Sequence, residues 1–222
     1  MIPVAVLDAA SRQCWDRGIK VLQGYRLDNT DWRHIGRLLW AMSPPHGSHW
    51  VDIGCGFGEP AAMMNEMRPD LHFELVNNNE FQLTKVPTHL STHHADMHAL
   101  PFEDARFDGA MFLYSLCHSD GLSALHEAAR VVKPDGKLFV FDYIRNSGTN
   151  DLARQHLGAN FFTRDEFKVA LHGAGWRPHS WWEPPGDDAL FRSTFGGSQQ
   201  LYDAIFSELT PIVWSTGKGW HV

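Results

Sequence analysis

Apolar positions recur at helical spacing through the first forty-odd residues. Ala9, Cys14, Ile19, Val21 and Leu22 alternate with polar residues, and Ile35, Leu38, Leu39 and Met42 follow a helical period. Ser43-Pro44-Pro45-His46-Gly47 then breaks the chain. Beyond it the pattern changes to short apolar strands separated by helices. His49–Ile53 is a predicted strand running into a glycine-rich loop and a helix from Pro60 to Met67. A second strand, His72–Val76, precedes a short helix from Glu80 to Lys85, and a weaker third covers Thr92–Asp96. Phe107–Tyr114 is the fourth, followed by a helix from Leu122 to Val132 with Leu122, Leu125, Ala128 and Val132 on one face. Lys137–Phe141 reads as a buried fifth strand, and the helix Arg164–Gly173 leads to a sixth, Pro178–Trp182. The acidic, glycine-rich stretch Glu183–Gly197 reads as a loop, Gln199–Leu209 as an amphipathic helix and Gly219–Val222 as a closing edge strand. Strands alternating with helices indicate parallel βαβ units. The expected architecture is one doubly wound α/β domain with a mostly parallel sheet. Residues 1–45 would form a helical cap, 46–183 the core, 184–215 an insertion or lid and 216–222 the closing strand.

Composition narrows the function. With 222 residues the chain has the length of a single domain. It carries 26 acidic against 19 basic residues, a net charge of −7, and no Lys/Arg run, which argues against a protein built to grip phosphate backbones. No stretch approaches the roughly 20 apolar residues of a membrane span, and Met1–Cys14 lacks the basic flank of a signal peptide. The three cysteines, Cys14, Cys55 and Cys117, show no CxxC spacing, which fits a reducing cytoplasm and not a disulfide scaffold or cysteine-rich zinc site. Nine tryptophans and 14 histidines supply aromatic and imidazole groups enough to line a pocket.

The strongest chemical signal is Val51-Asp52-Ile53-Gly54-Cys55-Gly56-Phe57-Gly58, between a predicted strand and helix. Glycines there let the backbone approach a ligand, and the helix start adds exposed N–H donors. A dinucleotide fingerprint requires a further glycine where this chain has Glu59, whose carboxylate would repel a diphosphate. Asp52 suits a cationic group such as the ammonium of an amino acid. These features favour S-adenosylmethionine over a nicotinamide dinucleotide.

Two more segments share the order and spacing of a known family: Ala95-Asp96-Met97-His98-Ala99-Leu100-Pro101-Phe102, continuing to Asp108, and Arg130-Val131-Val132-Lys133-Pro134-Asp135-Gly136. With the glycine loop they resemble the class I S-adenosylmethionine-dependent methyltransferases, over about Trp50 to Trp176. Within that family, Val76-Asn77-Asn78-Asn79-Glu80-Phe81-Gln82 and the later Cys117-His118 resemble the sterol side-chain methyltransferases and related terpenoid and quinone enzymes. The resemblance implies a seven-stranded sheet. It also implies that Gly54, Gly56 and Gly58 face the methionine part of the cofactor, with Asp52 helping to hold it. Asn77 stands where most of the family has an acidic residue on the ribose hydroxyls; it keeps one acceptor and adds two donors. Asp96 would accept from the adenine amino group and the Met97 backbone would contact the ring, with Asn78, Gln82 and Leu113 completing the site. Asp135 occupies a turn position that Asp tolerates.

His89, His93, His94 and His98 invite a metal reading, but adjacent residues of a strand point to opposite faces and no HExxH pattern accompanies them. No metal is expected. His118 falls just after the fourth strand, at the rim of the sheet where open α/β folds bind ligands, and is the candidate base, with Tyr114 beside it. Cys117 reads as a small packing residue. Trp15, Tyr25, Trp32, Trp40, Trp181, Trp182, Phe191 and Phe195 are candidates for an apolar acceptor pocket. The expectation is methyl transfer to a small hydrophobic metabolite, at carbon or oxygen; the alternative is a protein of the same fold that binds the cofactor without methylating, as a different enzyme or a regulatory subunit.

Overall fold

The computed structural model describes residues 32–146, 148–149, 151–182 and 209–218, together with residues 9, 11–12, 15–16, 21–22 and 25–26. Seven strands form the main sheet: β1 His49–Ile53, β2 His72–Asn77, β3 Ser91–His94, β4 Phe107–Leu113, β5 Val132–Arg145, β6 Trp176–Trp182 and β7 Leu209–Lys218. Their spatial order is β3-β2-β1-β4-β5-β7-β6. Neighbours from β3 to β5 run parallel, while β7 is antiparallel to both β5 and β6. The chain leaves β1 toward β2 on one side and places β4 on the other. That reversal opens a crevice at the C-terminal ends of β1 and β4, where ligands of open α/β sheets bind.

Helices cover both faces, as a parallel sheet requires. On one side α1 (Trp32–Met42) and α2 (Glu59–Met67) bury Ile35, Leu38, Met42, Ala61 and Met64 against Trp50, Leu75, Met111 and Phe139 of the strands. On the other, α4 (Leu122–Val131) and α6 (Arg164–Gly173) bury Leu125, Ala128, Phe167 and Leu171 against Val51, Ile53, Phe112 and Val140. Trp50 and Val51 thus serve opposite layers, as the two-residue period of a strand dictates. Two shorter helices, α3 (Glu80–Leu83) and α5 (Asp151–Leu157), sit beyond the strand ends. Among the described residues no helix is long and apolar enough to cross a membrane.

The closing strand is the main correction to the sequence reading. A strand occupies Leu209–Lys218, where an insertion was expected up to residue 215, and it is an inner strand between β5 and β6. Residues 209–215 therefore belong to the sheet and not to an insertion. The apolar run Ile212-Val213-Trp214 is buried there, flanked by β-branched Thr210 and Thr216. Pro211, near the strand's start, lacks the N–H of an ordinary inner strand residue and disguises the pattern. Residues 219–222, the loop Glu183–Gly197 and all of the expected helix Gln199–Leu209 except Leu209 lie outside the described residues.

Candidate functional site

The turn after β1 is built on three left-handed glycines, Gly54, Gly56 and Gly58, at φ of 78°, 57° and 74°. Gly54 and Cys55 donate to the Val76 carbonyl at 2.8 and 3.0 Å, tying the turn to the end of β2. The three glycines do different work. A Cβ at Gly54 would lie 2.4 Å from the Ser115 Cβ, and one at Gly58 would lie 2.8 Å from Leu75 Cδ2. A Cβ at Gly56 would meet nothing within 4 Å. Gly54 and Gly58 are thus small because protein packs on them, and Gly56 is the one that borders open space.

Beneath this turn Asp52 is buried, and neither carboxylate oxygen has a hydrogen-bond partner among the described residues. Burial pushes its pKa up to about 7. A buried acid in that state is ready to ionise beside a cation.

Asn77, buried at the end of β2, donates through Nδ2 to the Gly56 carbonyl at 3.2 Å and to Gln82 Oε1 at 2.8 Å. Its Oδ1 accepts from the Asn79 N–H at 3.3 Å. Both amide donors expected to meet a diol are therefore committed to the protein, and the carbonyl oxygen is the atom left with capacity for a ligand. Asn79 caps α3 by accepting from the Gln82 N–H at 3.0 Å, and Gln82 Nε2 donates to Ser11 Oγ at 2.9 Å. Asn78 is exposed at the same corner. The N-terminal residues described here lie over this corner as well. Trp15 packs on Phe57 with ring centroids 5.2 Å apart, and the Arg12 guanidinium stands 4.1 Å over the Phe81 ring. Trp40, by contrast, is 82% exposed among the described residues. Tyr25, Trp181 and Trp182 have no described side chains, and Phe191 and Phe195 lie outside the described residues.

After β3 the chain turns through Asp96 and Met97. Asp96 Oδ1 accepts from the His98 backbone N–H at 2.9 Å and from His98 Nδ1 at 2.5 Å. Burial works against the charged carboxylate, but these bonds and the imidazole charge outweigh it and hold the Asp96 pKa below its ordinary value. Met97 is half-buried, its Cε 3.7 Å from where a Gly54 Cβ would stand. The four clustered histidines do not converge. His93 reaches Glu74 at 2.8 Å, His94 the Asn78 carbonyl at 3.2 Å, and His98 turns to Asp96.

β4 ends at buried Leu113, and the next residue, Tyr114, takes a left-handed φ of 55° that a bulky side chain rarely adopts. Ser115 Oγ donates to the Ile53 carbonyl at 2.5 Å and fastens this bend to the glycine turn. The Tyr114 ring is buried against Phe141 and Tyr143, with centroids 4.3 and 5.6 Å away. A 3₁₀ turn, Leu116–His118, follows. Cys117 is buried, and its N–H donates to Asp142 at 3.0 Å. His118 borders a cavity of about 540 Å³ shared with His98, Asp120, Arg154 and Asn160. His118 is exposed at the rim of this cavity, and desolvation lowers its pKa against the opposing influence of the nearby Gly158 backbone. His118 is therefore neutral at neutral pH. Tyr114 is not among the residues lining this cavity, so the two candidate catalytic groups serve different surroundings.

Two contributors carry no clear local sequence signature: Ser11 on Gln82, and His98 on Asp96. The Asp-x-His spacing was the one legible signal, and it was submerged in the histidine run.

A reversed strand order, a glycine turn at the switch point and a polar residue ending the second strand define the class I methyltransferase fold. The family described as a methyltransferase domain matches residues 51–140. An O-methyltransferase of Aspergillus nomiae is 31% identical over 164 residues, covering 65% of this chain and 70% of that one. The sterol 24-C-methyltransferase of Schizosaccharomyces pombe is 27% identical over 135 residues, covering 56% of this chain and 35% of the larger enzyme. The geranyl diphosphate C-methyltransferase of Streptomyces coelicolor shares the fold, with a TM-score of 0.74 at 16% identity over 84% of this chain and 80% of that one. The chain belongs to the class I S-adenosylmethionine-dependent methyltransferases.

Proposed function

We propose that the chain methylates a small hydrophobic metabolite, at carbon or oxygen, with the cofactor lying across the C-terminal ends of β1, β2 and β4. The observation that carries this reading is the buried Asp52 carboxylate, without a hydrogen-bond partner among the described residues, just before a glycine turn in which Gly56 borders open space. The named activities of the A. nomiae and S. pombe relatives support the acceptor class.

The residues fit the cofactor. Asp52 balances the ammonium of its methionine part, and Gly56 with Gly54 and Gly58 lets the backbone come close. The Asn77 carbonyl oxygen, held in place by Gln82, accepts from a ribose hydroxyl, and Asn78 borders the same sugar. Asp96 accepts from the adenine amino group while Met97 and Leu113 flank the ring. Bound S-adenosylmethionine supplies a methyl group already electrophilic on its sulfonium, so the protein's main task is alignment. His118, its pKa lowered by desolvation and so neutral at neutral pH, takes the proton from an acceptor hydroxyl at a ring nitrogen. With an alkene acceptor, methylation leaves a carbocation, and His118 takes the proton that the cation loses. The acidic charge balance disfavours nucleic acid as acceptor, and the buried cysteines Cys55 and Cys117 suit a reducing cytoplasm.

The test is incubation with methyl-labelled cofactor and a panel of phenols, terpenoids and sterols. S-adenosylhomocysteine should form in step with a labelled product. Calorimetric binding of S-adenosylhomocysteine with no turnover on any acceptor would favour the non-methylating alternative, and no binding at all would overturn the site.

A further inference from the structure

We infer that His98 is a positioning residue for the cofactor: it locks one oxygen of Asp96 so that the other is presented to the adenine amine. This rests on the proposed adenine contact of Asp96 and adds a residue to it. A carboxylate on a turn is ordinarily free to rotate about its last torsion, and either oxygen can face the ligand. Here Oδ1 is fixed twice, by the His98 backbone N–H at 2.9 Å and by Nδ1 at 2.5 Å. Two donors on one oxygen set the plane of the carboxylate and leave Oδ2 as the acceptor facing outward.

A second carboxylate stands behind the imidazole. Its Nε2 lies 3.7 Å from Asp120 Oδ1. The Asp120 carboxylate accepts from the Ser123 backbone N–H at 2.9 Å and from Ser123 Oγ at 2.6 Å, at the start of α4. Asp96, His98, Asp120 and Ser123 thus form a chain from the adenine side of the site to a helix that belongs to the core. His98 also borders the His118 cavity, so this chain runs along the wall shared by the cofactor and acceptor regions.

The geometry makes a prediction that separates aiming from mere support. In His98→Asn the side-chain amide nitrogen can occupy the place of Nδ1, so the bond to Asp96 survives. In His98→Gln the amide nitrogen instead reaches toward the place of Nε2, and in His98→Ala the bond is lost. Calorimetry with S-adenosylhomocysteine and with its deaminated inosine analogue, which lacks the amine, gives a preference ratio for each protein. A ratio is independent of the fraction of protein folded. The wild type should prefer the adenine ligand by about tenfold or more, as expected for a hydrogen bond to a charged acceptor. His98→Asn should keep that ratio within about twofold, while His98→Ala and His98→Gln should fall to about threefold or less. A wild-type ratio in His98→Ala, or a collapsed ratio in His98→Asn, would overturn the inference. Absence of preference in the wild type, or an unchanged ratio in Asp96→Ala, would instead overturn the adenine contact of Asp96 itself.

Discussion

The missing side chain of Gly54 faces Ser115, with only 2.4 Å between a Cβ built there and the Ser115 Cβ. Ser115 in turn clamps the bend after β4 onto β1 through the Ile53 carbonyl. The glycine turn and the bend carrying Tyr114 and His118 are therefore one packed unit, and two neighbouring glycines should respond to substitution in opposite ways. Gly54→Ala combines a left-handed φ with a backbone-near clash and should cost at least about 2 kcal/mol of stability. Gly56→Ala has the same φ problem but room for the methyl, so it should fold with a loss of about 1–2 kcal/mol. Its methyl instead enters the space assigned to the cofactor, and S-adenosylhomocysteine affinity should drop at least tenfold, roughly the loss of one good contact. Urea denaturation beside calorimetry checks both. A Gly56→Ala protein that binds normally would show that the open space is not the ligand's.

Asp52 makes cofactor binding depend on pH. Its pKa in the free protein is raised to about 7, against an ordinary value of 3.8, so the folded state holds a proton that the unfolded chain has already lost. For folding, this group favours the native state most below pH 3.8 and costs stability progressively as pH rises to about 7. For binding the sign reverses, because an ammonium favours the carboxylate. Affinity for S-adenosylhomocysteine should rise about tenfold between roughly pH 6 and 8, as the ionised fraction does. Asp52→Asn should flatten that rise and bind more weakly at the alkaline end. A steep profile retained in the asparagine variant would assign the titration to another group.

The parts of this fold that could be read beforehand are those with local periodicity. β1, β2, β4 and the helices α4 and α6 each announce themselves by apolar spacing within a dozen residues. β7 does not, because its partners in β5 lie some seventy residues away, with Arg145 paired to Leu209, and Pro211 interrupts the local pattern. The site divides the same way. The glycine turn is legible as a motif, but whether Gly54 or Gly56 faces the ligand depends on Ser115, a residue from another strand end. Asn77 is legible as a departure from an acid, yet the fate of its two donors is set by Gly56 and Gln82, and only folding brings those acceptors together.

His34 should give the protein an acid-sensitive limb. It lies on the buried side of α1 with its ring 5.5 Å from Phe141, and desolvation, helped by the nearby Arg37 charge, lowers its pKa from 6.5 to about 4. The unfolded chain takes up a proton here first. The stability contributed by the neutral ring is complete above pH 6.5 and is lost as pH falls toward 4, up to about 3 kcal/mol. His34→Gln removes the titrating group. The difference in unfolding free energy between wild type and variant should therefore shift against the wild type on going from pH 7 to pH 5. A pH-independent difference would mean that the ring is hydrated or charged in the native state.

The last expectation concerns His118 and its two nitrogens. Desolvation lowers the ring's pKa, so at neutral pH the imidazole is neutral and one of them offers a lone pair to the cavity. A base in that state takes part in the rate only where an acceptor hydroxyl must lose its proton. Loss of a positioned base typically lowers turnover about 10²–10⁴-fold. His118→Asn should produce such a fall with an oxygen acceptor while S-adenosylhomocysteine affinity and melting temperature stay close to wild type. The wild-type rate should also hold below pH 6.5 before declining, because the pKa lies below its ordinary value and protonation is what removes the base. Steady-state kinetics across that range, beside a melting curve for each variant, measures both effects. A fall in turnover of less than about tenfold, or an equal fall in affinity, would leave His118 as a wall of the cavity and not its base.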